Sequence, residues 1–210
     1  MTTPAITAWS DQVRRQTTAM IRQHGCSITY VLGSTPDPSE PGCPCCAAFG
    51  EPPAPNRAQR RAAARTAGRR GTLPPSQRPE TGPPADATPS PSFAYTVGLY
   101  GVGHPELLIF GLNQRDTSQV LNSITHEVMS GNDLTIGEIV DIGGWRQLLV
   151  EQVPNPGEIL LGANDYYNRP REYPVPAVQL TWADDAGRFP WDADYAHPDW
   201  MQPRPGTFRA

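Results

Sequence analysis

No lysine occurs in the 210 residues; all 17 basic residues are arginine, as a GC-rich coding bias produces. The consequence is chemical. A P-loop lysine, a Schiff-base lysine and a kinase strand lysine are all excluded. Long apolar runs are also missing: none approaches the roughly 18 residues that a membrane-spanning helix requires. The first residues lack the apolar core of a secretion signal. These absences set the expectation of a cytoplasmic protein with no membrane partner, whose 4 cysteines are thiols or metal ligands and not structural disulfides. Neither G-x-S-x-G nor H-E-x-x-H is present, and the 4 histidines are scattered.

Proline and glycine are abundant instead, 25 and 19 residues, too many for a uniformly packed domain. Residues 34–92 alone hold 14 of the prolines and almost no large aliphatic side chains. Such a stretch cannot bury enough surface to offset its ordering entropy, so it reads as a largely disordered insertion. Charge divides at the same place. Up to residue 92 there are ten arginines and six acids; from 93 onward there are seven arginines and fifteen acids. A basic arm on an acidic body is the expected arrangement.

Periodicity places the elements. Residues 4–24 read as an amphipathic helix with Pro4 in the first turn, Gly25 at its end and an apolar stripe of Ile6, Trp9, Val13, Met20 and Ile21. Arg14, Arg15 and Arg22 form its solvated face. A strand over 27–32 follows. The centre is the pair Phe93-Ala94-Tyr95-Thr96-Val97-Gly98-Leu99 and Leu107-Leu108-Ile109-Phe110-Gly111. In the first run Phe93, Tyr95, Val97 and Leu99 share a large face, and Ala94, Thr96 and Gly98 share a small one that admits a close neighbour. The second run is apolar on both faces and belongs inside a sheet. A helix over 114–130 is capped by Asn113, with Val120, Leu121, Ile124 and Val128 inward and His126 outward. Strands near 136–142 and 145–153, a short helix within 158–168 and a last strand at 177–182 complete the set. Asp184-Asp185-Ala186-Gly187 makes a turn.

These residues carry a resemblance. The run 93–99, followed by His104-Pro105-Glu106 and 107–111, resembles the domain of unknown function 4262 family of bacterial proteins. So do His24-Gly25-Cys26 leading into Tyr30-Val31-Leu32-Gly33, and the closing stretch Pro174–Asp192. The resemblance covers 1–33 and 93–200 and is interrupted by the insertion. It implies no activity. A fainter likeness, in layout only, is to suppressor-of-fused-like domains, some of which serve as immunity proteins.

Three groups of residues are candidates for chemistry. Cys43-Pro44-Cys45-Cys46 with Cys26 offers four thiolates, a set that suits zinc, although the adjacent Cys45 and Cys46 fit poorly on one tetrahedral ion; free thiols are the competing reading. The run from Asn56 to Arg70 carries Arg57, Arg60, Arg61, Arg65, Arg69 and Arg70 without an acid, and suits nucleic acid, another polyanion or an acidic protein surface. No aromatic residue interleaves it, so base stacking is unsupported. Tyr95, His104, Glu106, Arg188 and Asp192 border the strands and, with Asp165, could converge as a binding site; turns and caps are their ordinary work.

The expected architecture is α+β: a mainly antiparallel sheet flanked by two or three helices, one discontinuous domain from 1–33 and 93–203 interrupted by 34–92. Two functions stay open. One is a non-catalytic binding or regulatory module of immunity type with an unidentified protein partner. The other is an enzyme, a hydrolase, with a site at the sheet edge near His104. Replacing 36–90 by a short Gly/Ser linker is expected to leave the thermal midpoint within a few degrees, since loop closure costs little per added residue. Loss of cooperative unfolding would refute that division of the chain.

Overall fold

The computed structural model describes residues 3–34, 89–143 and 146–210. The cysteine island at 43–46 and the arginine run at 57–70 lie outside the described residues. Among those described, helix α1 spans Pro4–His24, and Gly25 ends it in the left-handed region (φ 85°), its N–H bonding the Ile21 carbonyl. Strand β1 (Ser27–Val31) pairs antiparallel with β2 (Phe93–Val97), Val31 facing Phe93 and Ser27 facing Val97. The Ser90 N–H reaches the Ser34 carbonyl at 3.0 Å, so the chain leaves and re-enters the sheet at one place. β3 (Glu106–Phe110) follows, then α2 (Gln114–Met129), β4 (Ile139–Asp141), β5 (Gln147–Gln152), α3 (Leu161–Tyr166) and β6 (Ala177–Trp182).

The six strands lie in the order β1-β2-β3-β6-β5-β4. Every pairing is antiparallel except β3 with β6, where α2, β4, β5 and α3 intervene before the chain returns beside β3. This is the expected α+β class. α2 covers one face, where its stripe of Val120, Leu121, Ile124 and Val128 packs on Ala94, Leu107, Ile109, Leu148, Leu180 and Trp182. The other face holds Phe93, Tyr95, Val97, Leu108 and Phe110 under Leu160, Ala163 and Val175. Both faces of the central pair are therefore buried, as alternation in β2 and continuous hydrophobicity in β3 require.

The structure corrects the sequence in four places. Leu99 joins the cluster of Ala94, not the face of Tyr95, because Gly98 (φ 143°) breaks the alternation and starts a 3-10 turn over Leu99–Val102. The short helix expected in 158–168 is present but confined to α3, and a 3-10 turn at Pro156–Glu158 precedes it. The apolar stripe of α1 does not hold that helix to the body: none of its residues is buried, and Ile6, Trp9, Val13 and Met20 are exposed. Only Ile21 of that stripe packs on the core, joined by Thr18, whose hydroxyl meets Tyr166 Oη at 3.1 Å, and by Arg14, which lies 5.3 Å over the Tyr166 ring.

The fourth correction concerns the tail. In Gly187-Arg188-Phe189-Pro190-Trp191-Asp192 the extended backbone at Pro190 predicts that Phe189 and Trp191 both bury against the central pair. Instead the Asp192 carboxylate accepts the Phe189 N–H at 2.7 Å and closes a turn that stacks the two rings on each other, 5.0 Å apart. Phe189 is buried, but Trp191 stays 47% exposed. The aromatic cover of the central pair is Phe208, edge-on to Phe93 at 5.3 Å and to Phe110 at 5.0 Å.

Candidate functional site

Glu106 opens β3 and is fully buried. Its carboxylate accepts the Thr96 hydroxyl at 2.7 Å, the Gly98 N–H at 2.8 Å, the Tyr100 N–H at 3.1 Å and the Leu99 N–H at 3.3 Å. Three successive N–H groups converge because Gly98 adopts a conformation that other residues avoid. A side chain there would also meet the Gly25 carbonyl at 2.8 Å. Burial pushes the Glu106 carboxyl above its ordinary range, and the four donors offset this only in part. Beside it, burial and the Glu106 charge push Tyr167 up to about 12, although its hydroxyl accepts the Gly101 N–H at 3.2 Å.

His104 is also buried. Its Nδ1 lies 2.6 Å from the Pro105 carbonyl and its Nε2 accepts the Leu134 N–H at 3.4 Å. Both ring nitrogens are therefore engaged within the fold. Tyr95 accepts the Gly162 N–H at 3.0 Å, and burial pushes its phenol up. The residues expected at this end thus point inward, tying the loop over 98–103 and α3 to the sheet.

Arg188 and Asp192 lie elsewhere. β3 and β6 run parallel with Glu106 opposite Ala177, whereas Asp184 and Arg188 lie beyond the end of β6. At about 3.3 Å per residue the two ends are about 20 Å apart. Arg188 pairs with Asp184 through Nε and Nη2, both at 3.0 Å. The same carboxylate accepts the N–H groups of Ala186, Arg188 and Ala196. Burial opposes its charge, but these N–H groups and the guanidinium outweigh it and hold Asp184 below the usual carboxylate range. Asp165 lies beside Arg14, to which it offers its backbone carbonyl at 3.5 Å, and its charge reaches the Tyr95 phenol but not the Arg188 turn. The five candidates and Asp165 are therefore not gathered at one site.

Side chains not spent on the fold gather elsewhere, in a groove of about 650 Å³ between the end of α1, β1 and α2. Met20, His24, Cys26, Asn122, His126 and Met129 line it. Cys26 lies at its floor, 2% exposed, with Sγ 3.3 Å from the Thr125 hydroxyl; burial pushes the thiol up, which disfavours the thiolate. Among the described residues neither the His24 ring nor the His126 ring makes a hydrogen bond, and both residues are exposed. His126 was expected to face outward and does. What the sequence reading missed is that it shares a groove with His24, a convergence that the spacing within two helices 100 residues apart does not reveal.

Apart from the groove, α1 carries an exposed apolar row. Ile6, Trp9 and Val13 follow one another at intervals of three and four, and Trp9 is 66% exposed. At 100° per residue this row sits about 120° around the helix from the side carrying Arg14, Thr18 and Ile21. Among the described residues no helix is long and apolar enough to cross a membrane.

Comparison with known proteins bears on the body of the chain. No curated protein and no solved structure matches it. The family described as Domain of unknown function (DUF4262) matches residues 81–196, a span that contains the central pair, α2, the strands β4 to β6 and the Asp184 turn but stops short of α1 and β1. With more than half its length matched, the chain belongs to the DUF4262 family.

Proposed function

We propose that this protein is a non-catalytic binding module of regulatory type, which takes a helical protein partner along α1. One observation carries the reading: a 21-residue helix with no buried residue presents Ile6, Trp9 and Val13 as an apolar row on the side away from its own body. Spacings of three and four residues form the seam by which one helix receives another. Trp9 is the natural anchor, because a large ring buried at such a seam dominates binding energy. The inward commitment of His104, Glu106 and Tyr95 supports binding over hydrolysis near His104, since a base with both nitrogens engaged has no lone pair to offer a substrate.

The test uses the full chain with a photo-crosslinking residue in place of Ser10, expressed in its host. Trp9→Glu and Val13→Glu are expected to abolish the crosslinked species and to weaken the recovered complex by at least about thirtyfold, the effect of losing a central aromatic anchor. Arg188→Ala should leave it intact. The thermal midpoint of Trp9→Glu should stay within about 3 °C of wild type, because an exposed substitution perturbs folding little. Undiminished crosslinking in Trp9→Glu, or its unfolding, would refute the reading. Light scattering across a concentration series separates a second copy of this chain from a different partner.

A further inference from the structure

The groove at the foot of α1 has a ligand chemistry of its own. Met20 and His24 stand four residues apart on α1, and His126 and Met129 three apart on α2, so each helix offers one thioether and one imidazole from neighbouring positions. All four line the same groove. The two pairs are held against each other at Gly25, the residue after His24. A β-carbon placed there would lie 3.2 Å from Met129 Cγ and 3.7 Å from Met129 Cε, so the intervening sulfur rests over the turn between His24 and Cys26. Thr125, next to His126, closes the same junction through its hydroxyl contact with Cys26.

We propose that this groove is a soft-metal site that takes monovalent copper on the thioethers of Met20 and Met129 and the imidazoles of His24 and His126. Thioethers bind monovalent copper and are poor ligands for harder ions, while imidazole accepts copper readily. The set depends on the two sulfurs, since no group of three or more His, Cys, Asp or Glu side chains that could hold a metal occurs among the described residues. The ligands need no deprotonation of a thiol, which suits a groove whose one cysteine is buried and engaged with Thr125. This site is independent of the apolar row at Ile6, Trp9 and Val13.

The experiment uses the full chain with Cys43, Cys45 and Cys46 replaced by serine, so that the cysteine island cannot compete. Under anaerobic, reducing conditions copper(I) is titrated against bicinchoninate. One equivalent per chain should be withdrawn from the chelator. Met20→Leu with Met129→Leu, a volume-conserving change, should weaken binding at least tenfold, as should His24→Asn with His126→Asn, with thermal midpoints unchanged in the metal-free proteins. As a second readout, one equivalent of copper(I) should shift the methyl resonances of Met20 and Met129 and leave those of Met1 and Met201 in place. Equal affinity in the double leucine variant, zinc binding as tight as copper and insensitive to that variant, or resonance shifts absent or common to all four methionines would each overturn the proposal.

Discussion

Replacing Glu106 by alanine is expected to cost about 4–6 kcal/mol, because it strands several buried donors at roughly 1–3 kcal/mol each. The Thr96 hydroxyl and the N–H groups of Gly98, Leu99 and Tyr100 all lose their acceptor. Folded domains hold only about 5–15 kcal/mol in total, so the variant should be barely folded at room temperature. Glu106→Gln keeps the shape but turns an N–H₂ toward at least one N–H, and should fall between alanine and wild type. The carboxyl also leaves a signature in pH. Its folded value is raised, so the folded protein holds this proton more tightly than the unfolded chain does. The resulting stability is fully present below the unfolded value of about 4.3 and is lost as pH rises through the folded value. Asp184 acts in the opposite sense: its folded value is lowered, and its contribution is present above about 3.9 and lost as pH falls through the folded value. Urea midpoints measured from pH 3 to 8 should therefore show the gap between wild type and Glu106→Gln widening toward acid. A gap that narrows would show that the four donors outweigh burial at Glu106, whereas Glu106→Ala unfolding at the wild-type midpoint would show that Glu106 does not anchor the loop over 98–103.

Trp182→Ala is expected to cost about 3–5 kcal/mol, as removal of a buried aromatic does. The indole is 1% exposed and donates from Nε1 to the Phe110 carbonyl at 2.8 Å. The Arg146 guanidinium lies 4.8 Å over its ring, and the ring of His197 meets it edge-on, also at 4.8 Å. Truncation leaves a cavity between β6 and α2 and takes the partner from a buried carbonyl on β3. For a chain of this size the melting temperature should fall by roughly 6–20 °C. Trp191→Ala should cost only about 1 kcal/mol, the worth of a half-exposed ring in stacking and cation–π contacts. Its ring lies between Phe189 and Arg204, whose guanidinium sits 4.3 Å from the centroid. Circular dichroism melts of the two variants check the contrast. Equal losses, or a larger one for Trp191, would place the weight of the tail where the sequence reading first put it.

The contrast between these two tryptophans marks how far a sequence carries. Alternation in 177–182 places Trp182 beside Val178 and Leu180 on one face, and that assignment depends only on the period of a strand. Trp191 lies in an irregular segment with no period, and its cover is decided by the Asp192 turn and by Arg204, thirteen positions later in the chain.

Patterns among neighbouring residues suffice to place the elements and the class of the fold. Helix and strand periods are local properties, so α1, the cap at Asn113, the stripe of α2 and the central pair could all be read from neighbouring residues. The DUF4262 match takes in α2 and the central pair but not α1. Only the tertiary structure decided which polar groups are spent and which remain. The convergence of three N–H groups on Glu106 requires the backbone at Gly98 and the approach of Gly25, two positions separated by 73 residues. The parallel pairing of β3 with β6 puts Glu106 and Arg188 at opposite ends, a consequence of topology that no spacing encodes. The stripe of α1 has the same pattern whether it packs on its own core or awaits another surface. Period reports that a face is apolar, and only the position of the helix against Tyr166 and Ile21 decides that this face is left to the solvent.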